Sequence, residues 1–402
     1  MKIQHFEKLN APDKKVRLEA LRQLMVLYGT GELDLPITGI NVNNHIHTTY
    51  SFSPYSPAKA VFKSWLSGLA TTGIMDHDSV GGAEEFIEAG EIAGIPVTVG
   101  FELRCSMNGT PFEGKRINNP DQDSVVYMAM HGIPHHMLSE AERFLAPYRE
   151  KRNVRNRKMV ERLNSKLKPY ELELDFVADV LPFSLYTSGG SVTERHILYA
   201  LAAKLALEEM PRYFLLGLFK SMLVGTFYVD ADEELPHLTE FISLAEKLGA
   251  IAAYAYLGDV GVSVTGDKKT QAFEDAYLDE LIKYLKESGV HAVTYMPARN
   301  TDKQLTRIKA LCEQYGLFQI SGEDINSPMQ DFICDKIETP EFEHLIDSAW
   351  ALIGHELASS QGLSNGMFSE ETASRLPNLC DRINHFADLA KEQHQKRRKV
   401  YQ

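Results

Sequence analysis

His45-Ile46-His47 places two imidazoles two residues apart. On a strand, positions i and i+2 share a face, so both rings can be offered to one cation. Three further stretches carry the same chemistry: Asp76-His77-Asp78, Gly100-Phe101-Glu102 and Gly322-Glu323-Asp324-Ile325-Asn326. Each closes a short apolar or β-branched run, and His131 closes another. Carboxylates and imidazoles gathered at buried strand ends need partners, and a divalent ion supplies them. The chemistry expected is that of a bound divalent metal ion.

Such residues are far apart in the chain, so a repeated element must bring them together. Residues 39–43 read as a strand leading into His45, 70–75 as one leading into Asp76, and 95–100 as one leading into Glu102. Segments 56–69 and 83–93 between them carry helical patterns. Alternation of this kind predicts parallel strands with crossover helices outside, and α/β barrels present catalytic side chains at the carboxyl ends of their strands. A strand over 123–130 ends at His131, after which the rhythm changes. Residues 138–235 read as mostly helical, with Ser139 and Glu142 spaced as a capping box. Alternation resumes with strands over 249–256, 290–295 and 317–322, separated by helices over 272–288 and 305–315. The organisation expected is an α/β, TIM-like barrel over 39–137 and 236–335, interrupted by a helical insertion over 138–235. A helical extension (1–38) precedes it and helices (336–402) follow.

The chain has 402 residues, 44% of them apolar, enough for one large core or two modest ones. Lys and Arg number 42 against 55 Asp and Glu, and the net charge of −13 argues against duplex nucleic acid or an anionic membrane as partner. The longest apolar runs, such as 248–257, fall short of a membrane span, and the first residues lack a signal-peptide core. Cys105, Cys312, Cys334 and Cys380 show no CxxC spacing, which fits free thiols. A cytoplasmic protein is expected.

Taken in order, these motifs resemble the polymerase and histidinol phosphatase (PHP) family of metal-dependent phosphoesterases. Its HxHTxxSDGxxxP motif is similar to the segment from His45 to Pro57, its DH to Asp76-His77 and its GxE to Gly100-Phe101-Glu102. His131 matches a strand-end histidine. Thr193-Glu194-Arg195-His196-Ile197 is similar to the GRPHI motif of a branch resembling nucleoside 3',5'-bisphosphate phosphatases, Ala255-Tyr256-Leu257-Gly258 to AHPG, and the segment from Gly322 to Asn326 to GSDxH. The resemblance covers about residues 40 to 330 and implies a distorted (β/α)7 barrel. It further implies a first metal on His45, His47, Glu102 and Asp324, and a second on Glu102, His131 and His196.

A third metal position would take Phe52, His77 and Asn326, which make a poor ligand set. Two divalent ions (zinc, manganese or iron) are therefore expected, with the third position empty or weak unless Asp76, Asp78 or Glu323 substitutes. His77, released from ligation, is a candidate general acid, and Tyr256 a proton or hydrogen-bond donor. Asp324 joins His77 and Tyr256 as a catalytic candidate. Arg195, Arg299 and Arg104 are candidates for anchoring phosphate, because guanidinium grips phosphate oxygens in a fork. The function implied is hydrolysis of a phosphoester of a small phosphorylated molecule, such as a nucleotide, by a metal-bridged hydroxide. Departures at Phe52, Tyr256, Glu323 and Asn326 keep open a weakened or non-catalytic descendant that binds metal or a phosphorylated ligand. Substrate, metal identity and oligomeric state are left undefined by the sequence.

Overall fold

The computed structural model describes residues 2–261 and 271–401. Seven strands form one sheet whose order follows the chain: β1 (Val42–Ile46), β2 (Thr71–His77), β3 (Val97–Ser106), β4 (Val125–His131), β5 (Ile251–Ala255), β6 (Ala292–Tyr295) and β7 (Phe318–Ser321). The sheet curls until its edges meet. Just beyond β7, Ile325 bridges Ile46, with the His47 amide donating to the Ile325 carbonyl at 2.9 Å and the Ile325 amide to the His45 carbonyl at 3.1 Å. The result is a nearly closed seven-stranded α/β barrel.

One strand departs from the expected parallel pattern. β4 runs antiparallel to both β3 and β5, whereas every other pair is parallel. The connection from Ser106 to Val125 contains no helix. Without a crossover to carry the chain back, the strand must return beside its neighbour in the opposite sense.

Helices surround the barrel and extend it. Outside the first strands lie α1 (Lys2–Lys8), α2 (Lys14–Gly29), α3 (Pro57–Leu66) and α4 (Ala83–Ala93). The extension is anchored by a buried ion pair in which Arg17 Nε donates to Glu85 Oε1 at 2.8 Å. Between β4 and β5 come α5 (Leu138–Leu167), α6 (Glu194–Leu205), α7 (Glu209–Phe227) and α8 (Leu238–Leu248). Leu163, Val180, Ile197 and Phe227 give that region an apolar cluster separate from the main core. The alternation ends with α9 (Leu278–Glu287) and α10 (Asp302–Tyr315), followed by α11 (His344–Gln361), α12 (Glu370–Arg375) and α13 (Leu379–Tyr401).

Local chemistry sets the helix ends. A capping box formed by Thr301 and Gln304 starts α10, and Gly316 stops it in a left-handed conformation (φ 59°) that a side chain would strain. Inside the barrel, Met75, Ala129, Ala253, Ala292 and Phe318 pack with Ala351 and Leu352 of α11. Glu356 of α11 accepts from Val99 N at 2.7 Å and Thr98 Oγ1 at 2.8 Å, so α11 caps the barrel where β3 begins. The opposite mouth is left for chemistry. All four cysteines are free, and among the described residues no helix is long and apolar enough to cross a membrane.

Candidate metal centre

His45 and His47 leave the end of β1 on one side, as their spacing requires, with ring centroids 5.1 Å apart. Glu102, in mid-β3, meets both: its Oε1 lies 3.6 Å from His45 Nε2 and 3.3 Å from His47 Nε2. Asp324 arrives through the Ile46–Ile325 closure and places Oδ1 3.2 Å from His47 Nε2. His77, directly opposite Glu102 in the β2–β3 ladder, sets Nδ1 2.9 Å from Glu102 Oε1. Donor atoms of His45, His47 and Asp324 all lie within 4.8 Å of one another, and so do those of His47, His77 and Glu102.

A cation fits this arrangement for a specific reason. Ser51 Oγ donates to Asp76 Oδ1 at 2.6 Å, so the lone pair of the hydroxyl is left to accept from His47 Nδ1 at 3.2 Å. Asp76 is held in turn by Thr48 N and Thr48 Oγ1, each at 2.6 Å. With its hydrogen on Nδ1, His47 turns the Nε2 lone pair toward two carboxylates, and that buried nitrogen has no hydrogen-bond partner. Lone pair and carboxylates repel unless positive charge stands between them. In the bare protein a proton answers this demand: burial opposes charge on His47, yet Asp324 and Glu102 lift its pKa to about 10. Burial likewise opposes ionisation of Glu102, but His77 and His45 hold it well below the usual carboxylate range. Asp324 is held low in the same way, chiefly by His47. A divalent ion answers the same demand with more charge.

His131 and His196 fall outside both groups of donors. Because β4 is reversed, its last residue lies toward the closed end: His131 pairs with Ile251, the first residue of β5. Level with Glu102 on β4 is Ala129, and one step nearer the mouth stands Tyr127, its ring 6.2 Å from His77. His131 is fully buried, and burial followed by the nearby His45 pushes its pKa down to about 3. His196, in the first turn of α6, accepts from Thr193 N through Nδ1 at 3.0 Å. Phe52, at the position of the resembled family's aspartate, packs edge-on against the His196 ring at 5.0 Å.

The other substitutes at the third position are engaged elsewhere. Asp78 forms an ion pair with Arg152, Asp76 is saturated as described, and Glu323 accepts from Ala298 N at 3.4 Å. Asn326 Nδ2 donates to Asp324 Oδ1 at 2.5 Å while its oxygen accepts from Arg195 Nη1. Arg195 is thereby fixed beside the centre. Lys220 of α7 faces it closely enough that repulsion from Arg195 lowers the lysine pKa. Arg299 lies partly buried in the turn after β6, its amide donating to Met296 O at 3.1 Å.

Two further candidates have partners away from the centre. Arg104 does not line the mouth: it is buried, donating through Nη2 to Glu234 Oε1 at 2.6 Å and through Nη1 to Tyr228 at 3.2 Å. Tyr256 has no proton to direct at the centre, because its buried hydroxyl donates to Asp275 Oδ1 at 2.7 Å. Sequence reasoning also missed the role of α5, where Arg149, Arg152 and Arg155 recur every three residues on a buried face. That spacing was the available signal.

No protein-family model matches the chain, and no curated protein matches it in sequence. Solved structures do match. One is a protein from Bifidobacterium adolescentis assigned as a metal-dependent phosphoesterase, with a TM-score of 0.54 and 20% identity, covering 78% of this chain and 98% of that one. The chain shares its fold. Another is an amidohydrolase from Chromobacterium violaceum with bound sulfate and no metal, also at a TM-score of 0.54, with 18% identity and coverage of 73% and 90%.

Proposed function

We propose that the protein is a metal-dependent hydrolase that cleaves a phosphoester of a small molecule. The observation that carries this reading is the Nε2 lone pair of His47, fixed by Ser51 and Asp76 and aimed between Glu102 and Asp324. His45, His47, Glu102 and Asp324 would hold one ion, and Glu102 with His77 would hold a second. Divalent ions in such a site acidify water and polarise a phosphoryl oxygen.

The chain's own groups do the rest. Asn326 orients Arg195 and Asp324 together, so the remaining N–H groups of the Arg195 fork are available to phosphoryl oxygens next to the metal ligands. Lys220 adds a second positive charge on that side, and an anion between them relieves their repulsion.

Metal content and turnover test the proposal together. Purified protein loaded separately with zinc, manganese or ferrous iron is assayed with p-nitrophenyl phosphate and bis(p-nitrophenyl) phosphate. Turnover abolished by a chelator and restored by one metal is the expected result. Stoichiometric metal without turnover of either ester removes the phosphoesterase reading and leaves a binding protein.

A further inference from the structure

One helix of the insertion is amphipathic in the reverse sense. α7 turns toward the protein with Leu216 and Phe227, the only two of its nineteen residues that are buried. At 3.6 residues per turn its three charged residues, Glu209, Arg212 and Lys220, fall on that same side of the helix. The opposite side holds Met210, Phe214, Leu218 and Met222, which are 54%, 67%, 45% and 64% exposed. Spaced by four, they form one continuous apolar ridge. A surface helix ordinarily turns such a stripe inward and its charges outward.

The outward face has no need of water. Its two hydroxyls are satisfied within the helix, Ser221 Oγ donating to Leu218 O at 2.8 Å and Thr226 Oγ1 to Leu223 O at 2.7 Å. Gly217 and Gly225 lie on the same face, and a Cβ at either would meet nothing within 4 Å. The face therefore protrudes in its N-terminal half, at Met210 and Phe214, and is recessed in its C-terminal half, at Gly217, Ser221 and Gly225. Turned end for end, a second copy fits the first: Leu218 comes against Gly217, Phe214 against Ser221 and Met210 against Gly225. Surfaces related by a two-fold axis must be self-complementary in this way. With Leu207, 93% exposed just ahead of the helix, the patch reaches on the order of 600 Å², at the upper end for the largest apolar patch of a monomer and most of the ~800 Å² that each partner buries in a standard interface.

We propose that α7 is the interface of a homodimer, in which the two copies of the helix pack antiparallel about a two-fold axis beside Gly217 and Leu218. Other occupants fit less well. Residues 262–270 offer Val262 and Val264 as their only apolar side chains, too few to cover the ridge. An anionic membrane attracts basic residues flanking an apolar helix face, whereas Arg212 and Lys220 lie on the inner side of α7 and the chain carries a net charge of −13. Pairing also clamps from outside the helix whose Lys220 stands beside Arg195.

Light scattering and sedimentation equilibrium on the full chain test this. Twice the mass of the chain is expected at micromolar concentration. Phe214→Glu sets a charge in the ridge, and Gly217→Leu fills the groove while replacing a poor helix former with a good one, so that the second variant keeps α7 intact. Each is expected to raise the dimer dissociation constant by about 100-fold, with thermal melts confirming the fold. Ser221→Phe is expected to separate the copies as well, and Phe214→Ser together with Ser221→Phe to pair them again, because the antiparallel register sets position 214 against position 221. The mass of a single chain throughout a concentration series overturns the proposal, and so do dimers that survive both Phe214→Glu and Gly217→Leu. Single chains that sediment with vesicles of phosphatidylcholine and phosphatidylglycerol, and cease to do so with Phe214→Glu, would assign the ridge to lipid instead.

Discussion

The hydroxyl of Ser51 lies 3.2 Å from Nδ1 of His47 and gives its own hydrogen to Asp76. This contact decides which nitrogen of His47 carries the lone pair, and therefore whether the ring can ligate toward Glu102 and Asp324. Ser51→Ala frees the tautomer and is expected to weaken metal binding by about 10–100-fold. Competition against a chelator of known affinity measures it. Unchanged affinity would mean that the ring is oriented by packing alone.

The identity of the second ion's ligands separates three histidines. His77→Ala is expected to lower bound metal from about two ions per chain to about one, while His131→Ala and His196→Ala leave it near two. Elemental analysis of each purified variant reads this directly. Retention of both ions by the His77 variant, with loss in either of the others, would return the second site to β4 or α6.

Glu234 is buried with Arg104 and Arg155 on its two sides, at 2.6 and 2.7 Å. Removing the carboxylate leaves two guanidinium groups sealed without compensation. Glu234→Ala is expected to destabilise the protein by about 3–5 kcal/mol. Denaturant unfolding of the metal-free protein gives the number, and a change below about 1 kcal/mol would show that water reaches the arginines.

Glu274 supports the loop after β5, its Oε1 accepting from Tyr254, Leu257 N and Gly258 N at 2.8, 2.8 and 3.2 Å. Burial outweighs these donors and raises its pKa from 4.5 to about 7. The folded state therefore binds the proton more tightly than the unfolded chain does. The resulting stability is complete below pH 4.5 and is lost as pH rises through about 7. Glu274→Gln is expected to flatten the difference between pH 5 and pH 7.5 in thermal melts relative to the unaltered protein. Parallel curves for the two proteins would contradict the assignment.

The barrel was legible because it depends on short-range pattern. His45 and His47 announce a shared strand face, and the apolar runs before Glu102 and Asp324 announce strands, although β3 continues past Glu102 to Ser106. The direction of the strand ending at His131 was hidden: an apolar strand ending in histidine reads the same in either direction, and only the helix-free connection from Ser106 to Val125 betrays the reversal. The positions that shape the centre through hydrogen bonds were hidden more deeply. Ser51 and Asp76 are 25 residues apart in sequence, Arg195 and Asn326 are 131 apart, and no local periodicity couples them. Arg104 stands two residues beyond Glu102 on the same strand. Its partner Glu234, brought in by the segment before α8, took it away from the mouth.

The capping of the barrel by α11 also governs when the protein can become itself. Val99 and Thr98 wait for Glu356, 257 residues later in the chain, and Gly354 presses so closely on Phe386 that a methyl group there would sit 1.9 Å from its carbonyl oxygen. At roughly 5–20 residues per second of synthesis, the base of β3 stays uncovered for about 13–50 s after it leaves the ribosome. During that interval the nascent chain displays an unfinished sheet with open edges, a natural client for chaperones. The last helices are thus a folding checkpoint: a ribosome that stalls within them releases a chain whose strands are all made and whose barrel has no floor.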